Sequence, residues 1–195
     1  MNKPHVIGLT GSIGTGKSTA ANLFREAGVP VWDADAAVHA LYSAGGAAVE
    51  PVRALCPEAV GPNGVDRAAL NDWIARESDA LGQIEAVVHP LVAADRAAFI
   101  AAADSDIVVL DIPLLFEVGA AAEVDTIVVV SAPAEIQRKR VLARPGMTEE
   151  RFARILAKQM PDAEKRTQAD VVVPSVTIDE TRVHIDRLIR SLRNA

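Results

Sequence analysis

Short apolar runs alternate with stretches of helical periodicity along this chain. Val6-Ile7-Gly8-Leu9, Val29-Pro30-Val31-Trp32, Ile107 to Leu110, Thr126 to Val130 and Asp170 to Val173 are bounded by turn-forming residues, which predicts five short buried strands. After Thr19, the positions Ala20, Ala21, Leu23, Phe24 and Ala27 recur at helical spacing and stop at Gly28, as a C-terminal glycine cap would have it. Residues 36–104 hold no convincing strand. Helix starts at Asp66 and Ser78 and an expected break at His89-Pro90 make this region a mostly helical insertion. Residues 133–160 form a second insertion, with Pro133 in a first helical turn, a turn at Pro145-Gly146 and a new helix opened by Thr148-Glu149-Glu150. The capping box Thr177-Ile178-Asp179-Glu180 starts a last helix that runs to about Leu192. Strands separated by helices in this order predict an α/β fold on a parallel sheet.

Composition sharpens that picture. Half of the 195 residues are hydrophobic but only 4% are aromatic, the Ala, Val, Leu and Ile bias of helices packed on a buried sheet. A net charge of -6 argues against a nucleic-acid partner, because phosphate neutralisation demands clustered Lys and Arg. Any anion must be met locally. The single Cys56 excludes an internal disulfide framework and agrees with a reducing compartment. The apolar run before the first glycines is too short for a signal sequence or a membrane span, so the expectation is a cytoplasmic protein with no membrane partner.

The chemistry begins at Gly11-Ser12-Ile13-Gly14-Thr15-Gly16-Lys17-Ser18, which satisfies GxxxxGK[ST] between the first predicted strand and the first predicted helix. Glycines let successive backbone N–H groups turn inward around a phosphate, and the helix N-terminus that follows adds partial positive charge. Lys17 is placed to reach the β and γ phosphates and the Ser18 hydroxyl to ligate Mg²⁺. The ligand expected is a nucleoside triphosphate. A regulatory GTPase would need a guanine reader of the [NT]KxD type, but Thr167-Gln168-Ala169-Asp170 has glutamine at the lysine position. A transport ATPase would need an LSGGQ-like signature, which is missing. A small-molecule kinase remains, needing an acceptor pocket, a proton acceptor and an arginine-bearing lid.

The other candidates fit that requirement. Asp33-Ala34-Asp35 ends the second strand at the carboxyl edge of the sheet, where one carboxylate can take the acceptor's proton and a second can help hold Mg²⁺. Either could instead cap the next helix. Ile107-Val108-Val109-Leu110-Asp111 has the form of a strand whose terminal Asp holds the metal, and the apolar continuation Ile112 to Phe116 either lines a pocket or joins the core. In the basic insertion, Arg138, Arg140 and Arg144 lie at helical spacings from which more than one can face the transferred phosphoryl group, with Lys139 left for solvent.

Together these residues resemble the dephospho-coenzyme A kinase family over nearly the whole chain. GLTGSIGTGKST, DAD at 33–35, HPLV at 89–92, DIPLLFE at 111–117, QRKRVLAR at 137–144 and RILAKQM at 154–160 stand in the family's order, as does Lys165 followed by Ala169-Asp170. The resemblance implies a P-loop NTPase three-layer core with a five-stranded parallel sheet, a helical acceptor-binding insertion and a helical lid. It assigns 1–35, 105–132 and 168–195 to the nucleotide-binding core, 36–104 to the acceptor domain and 133–167 to the lid. It also implies ATP-dependent phosphorylation of the ribose 3′-hydroxyl of dephospho-coenzyme A, with ATP and Mg²⁺ as cofactors, in a monomer or weak homo-oligomer. Asp35 takes the position of the general base, Lys17 that of the phosphate lysine and Arg140 that of the lid arginine. Residues 11–19, that is Gly11, Ser12, Ile13, Gly14, Thr15, Gly16, Lys17, Ser18 and Thr19, bind the nucleotide with Arg144. Thr10, Asp33, Arg67, His89, Leu115 and Glu117 serve the acceptor, and Ser18 and Asp111 the metal. The chain departs from the family's pattern at two turns: Val173-Pro174-Ser175 replaces an Asn-bearing turn, and Pro145 stands where an acid is usual. Another small-molecule kinase with the same core, or a nucleotide-binding switch without catalysis, are the alternatives.

Overall fold

A computed structural model describes residues 3–194; Met1, Asn2 and Ala195, at the ends of the expected core, lie outside the described residues. In chain order the elements are β1 (His5–Thr10), α1 (Lys17–Glu26), β2 (Val31–Asp33), α2 (Ala34–Tyr42), α3 (Val49–Leu55), β3 (Val60–Gly61), β4 (Gly64–Val65), α4 (Arg67–Arg76) and α5 (Ala80–Ala102). They continue with β5 (Ile107–Asp111), β6 (Thr126–Ser131), α6 (Ala134–Leu142), α7 (Glu149–Leu156), α8 (Asp162–Thr167), β7 (Val171–Pro174) and α9 (Ile178–Arg193). The chain divides into two compact units, one running to Trp32 and resuming at Ala103, the other Asp33–Ala102.

The first unit carries the expected five-stranded parallel sheet, in the order β2-β5-β1-β6-β7. Central β1 pairs in parallel with β5, Leu9 opposite Asp111, and with β6, Thr10 opposite Val129. Alternation along each strand divides the side chains between the faces. Ile7, Leu9, Ile107, Val109, Val128 and Val130 enter one cluster with Ala20, Leu23 and Phe24 of α1 and Ile185, Leu188 and Ile189 of α9. Gly8 points the other way, where Leu115 and Val124 leave no room for a side chain. Burial on both faces explains why these strands read as unbroken apolar runs. Pro174 is tolerated because β7 is an edge strand. Asp170, just before it, accepts from the Ile127 N–H at 2.7 Å and fixes the start of the β6–β7 register.

The second unit has its own core of Leu41, Ala48, Val52, Cys56, Ala59, Leu70, Ile84 and Val88. Three features differ from expectation. A two-residue antiparallel hairpin, β3–β4, sits where no strand was expected. The expected break at His89-Pro90 is absent, for α5 continues through Pro90. Proline there removes one N–H and crowds the Ala86 carbonyl, but Ile84 and Val88 are buried on the same helix and their packing holds it together. In the first unit, α8 appears beyond the two helices predicted for residues 133–160. Among the described residues no helix is long and apolar enough to cross a membrane.

Candidate active site

The sheet delivers the glycine-rich segment to the carboxyl end of its central strand, where ligands of open α/β sheets bind. β1 ends at Thr10, α1 begins at Lys17, and six residues turn between them. Gly16 has φ +98°, and a Cβ there would lie 2.2 Å from Ser175 Oγ; Gly14, at φ +78°, would strike Val141 Cγ2 at 2.4 Å. The loop therefore tolerates no side chain at either place, for backbone and for steric reasons alike. It is also tied to itself: the Thr15 N–H and hydroxyl both donate to the Ser12 carbonyl, at 3.2 and 2.9 Å. No side chain caps α1 at Gly16, so its first N–H groups are available to an anion.

Two cations converge on this loop. The Lys17 ammonium is ion-paired with Asp111, the 3% exposed last residue of β5. Arg140, on α6, donates from Nη2 to the Val176 carbonyl at 3.2 Å. Its Nη1 is buried without a hydrogen-bond partner and lies 3.5 Å from where a Gly16 Cβ would be. Buried polar groups are nearly always satisfied, and a charged one more so. An unpaired guanidinium nitrogen beside a glycine-rich loop is a donor chemically suited to an anion.

Ser18 is exposed in the first turn of α1, and Thr19 is half-buried beside it. No group of three or more His, Cys, Asp or Glu that could hold a metal is found among the described residues. Mg²⁺ does not require one, since it keeps several waters and takes one or two protein oxygens together with substrate phosphates. The Ser18 hydroxyl and the Asp111 carboxylate fit that limited donor set.

The other candidates in this unit divide. Thr10 is fully buried and donates to the Pro113 carbonyl at 3.0 Å. Leu115 is fully buried behind Gly8, a core position. Glu117 pairs with the fully buried Lys165 at 2.8 Å and accepts from the Met160 N–H, also at 2.8 Å. Burial would raise its carboxyl, but the Lys165 ammonium and the Met160 N–H outweigh that and hold it below the ordinary range. Of the basic run on α6, Arg138 is engaged with Glu149 of α7, whereas Lys139 and Arg144 are exposed.

Four candidates belong to the second unit. Asp33 caps α2, its Oδ1 accepting from the Ala36 N–H at 2.9 Å, and Asp35 is exposed in the first turn of that helix. Arg67, at the start of α4, lies 5.5 Å from the Tyr42 ring centroid, and His89 is exposed on α5. Cys56 is buried, which pushes its thiol up and removes it from consideration as a nucleophile.

Three residues at the loop drew no role from sequence reasoning. Ser175 fills the space over Gly16. Gln137 donates to the Ile13 carbonyl and Gln159 accepts from the Ile13 N–H. The two glutamines stand inside QRKRVLAR and RILAKQM, but neutral amides carry neither charge nor periodicity that would single them out.

Residues 5–180 match the family model CoaE: Dephospho-CoA kinase. The dephospho-CoA kinase of Cereibacter sphaeroides is 57% identical over 191 residues, which cover 98% of this chain and 97% of that protein. The crystal structure of TT1252 from Thermus thermophilus superposes with a TM-score of 0.86 at 36% identity, covering 97% of this chain and 98% of the other. The dephospho-CoA kinase from Campylobacter jejuni shares the fold, with a TM-score of 0.67 at 19% identity over 98% of each chain.

Proposed function

Because the chain belongs to the dephospho-CoA kinase family, we propose that it transfers the γ-phosphoryl group of ATP to the ribose 3′-hydroxyl of dephospho-CoA, giving coenzyme A and ADP. The observation that carries the nucleotide half of this reading is the buried, unpaired Arg140 Nη1 beside Gly16. The acceptor half rests on the family.

In this reading the backbone N–H groups of the loop and the start of α1 receive the phosphates of ATP. Lys17 turns from Asp111 to the β and γ oxygens, and Arg140 neutralises charge that builds on the moving phosphoryl group. The Ser18 hydroxyl and the Asp111 carboxylate would hold Mg²⁺, which would screen the charge of the phosphate oxygens. Asp35 accepts the proton of the 3′-hydroxyl as its oxygen attacks phosphorus and the bond to the ADP oxygen breaks. Residues 36–104, with Asp33, Arg67 and His89, take dephospho-CoA, and 133–167 act as the lid that brings Arg140 and Arg144 to the nucleotide. Thr10 at the end of β1 and Glu117 in the segment after β5 serve the acceptor side, and the buried Leu115 supports it from the core.

Phosphorus NMR of the product tests this. A new monoester resonance assigned to the ribose 3′ position, formed with ADP in equal amount, is expected. Inorganic phosphate and unchanged dephospho-CoA would contradict it.

A further inference from the structure

Ile13 stands in the middle of the phosphate loop, and both polar groups of its backbone are held by side chains from residues 133–167. Gln159 Oε1 accepts from the Ile13 N–H at 3.0 Å, and Gln137 Nε2 donates to the Ile13 carbonyl at 2.7 Å. Chemistry fixes both amide orientations, since a backbone N–H can only donate and a carbonyl only accept. Gln137 is buried on α6, and Gln159 is half-buried between α7 and α8. The segment bearing Gln159 is itself anchored: the next residue, Met160, donates its N–H to Glu117, whose partner is the buried Lys165.

Successive inward N–H groups make an anion cradle, and every one of them that finds a protein acceptor is lost to the ligand. Ile13 is so occupied. Its bonds also fix the plane of the loop just before Gly14, where the chain enters its first left-handed turn. A buried glutamine that spends its amide on one loop carbonyl, matched by a second on the neighbouring N–H, is a costly arrangement for packing alone.

We infer that Gln137 and Gln159 are positioning residues for the nucleotide: together they clamp the Ile13 backbone, set the curvature of the phosphate loop and withdraw the Ile13 N–H from the donors offered to the phosphates. This rests on the reading that the loop holds the phosphates of ATP. The clamp acts on ATP and not on the acceptor.

Gln159→Met, Gln137→Met and the double substitution test it, since methionine keeps the length of the side chain and discards its amide. The full-length variants are titrated with Mg²⁺-ATP by calorimetry, then assayed for the KM of ATP and of dephospho-CoA. Each single change is expected to weaken Mg²⁺-ATP binding about three- to tenfold, the loss of one neutral hydrogen bond. The KM for dephospho-CoA should stay within about twofold. Because both side chains grip the backbone of one residue, the double variant should fall short of the product of the two single effects. Single variants that bind Mg²⁺-ATP like the wild type would overturn the inference. So would equal losses on both substrates with a lowered Tm, which is what a merely structural role predicts. A wild-type protein that binds Mg²⁺-ATP without phosphorylating dephospho-CoA would overturn the acceptor while the titrations still decide the clamp. One that fails to bind Mg²⁺-ATP would overturn both.

Discussion

Arg140 separates the demands of folding from those of catalysis. Its buried Nη1 has no partner in the protein, so the fold gains little from it, whereas a phosphoryl group in flight would gain a charge-assisted bond. Arg140→Met is therefore expected to lower kcat by about 10³-fold or more while changing stability by no more than about 1 kcal/mol. Steady-state kinetics and thermal unfolding on the same sample check the two halves. The carboxylates of α2 give a second contrast. Asp33 already spends one oxygen on its helix cap, and Asp35 is exposed and serves no cap. Asp35→Asn should remove nearly all turnover with Tm unchanged, whereas Asp33→Asn, which can still cap, should keep measurable turnover. The reverse order would put the proton on Asp33. Lys165 and Glu117 make a third case. The ammonium is completely buried but the carboxylate side chain is 19% exposed, so loss of the carboxylate strands the more expensive charge. Glu117→Ala should cost about 3 kcal/mol at neutral pH, more than Lys165→Met. With its carboxyl held below the ordinary range, Glu117 stabilises the fold fully above that range and loses this as pH falls through its depressed folded value. The gap between wild type and Glu117→Ala should narrow in acid, and urea unfolding at a series of pH values would show it.

At the scale of elements, α5 is where local and global preferences disagree. Pro90 lies inside the helix and on its exposed side, so its substitution meets no packed neighbour. Pro90→Ala should restore a backbone N–H, relieve the Ala86 carbonyl and stabilise the protein by about 1–3 kcal/mol. A fall in Tm would mean that the proline holds something the helix needs. The same helix shows where reading from sequence stops. The strand-loop-helix unit at 5–26 was legible because phosphate binding and helix initiation both demand consecutive residues, and the caps at Asp66, Thr148 and Thr177 stand where their side chains predicted helix starts. Pro90 misled because the burial of Ile84 and Val88 is tertiary information that no local signal carries. The hairpin β3–β4 is two residues to a strand, too short for any period to register. Lys17, Asp111 and Arg140 stood out in the sequence by charge and position, and the structure brings all three to the loop. Gln137, Gln159 and Ser175 were not, because what matters about them is which backbone atoms they reach across more than a hundred residues.

For the whole molecule, an acidic chain of net charge -6 that acts on two polyanions must concentrate positive charge where it is needed. In the proposed site this falls to one lysine, one arginine and the start of a helix around a bare loop. The function follows from family membership over nearly the full length of the chain. The most direct test is ADP release from Mg²⁺-ATP, measured with no acceptor and with dephospho-CoA, adenosine or AMP. Release that depends on dephospho-CoA, yields coenzyme A and is at background with the other two is the predicted result. Release that is indifferent to dephospho-CoA, or that responds to adenosine or AMP in its place, would contradict the account.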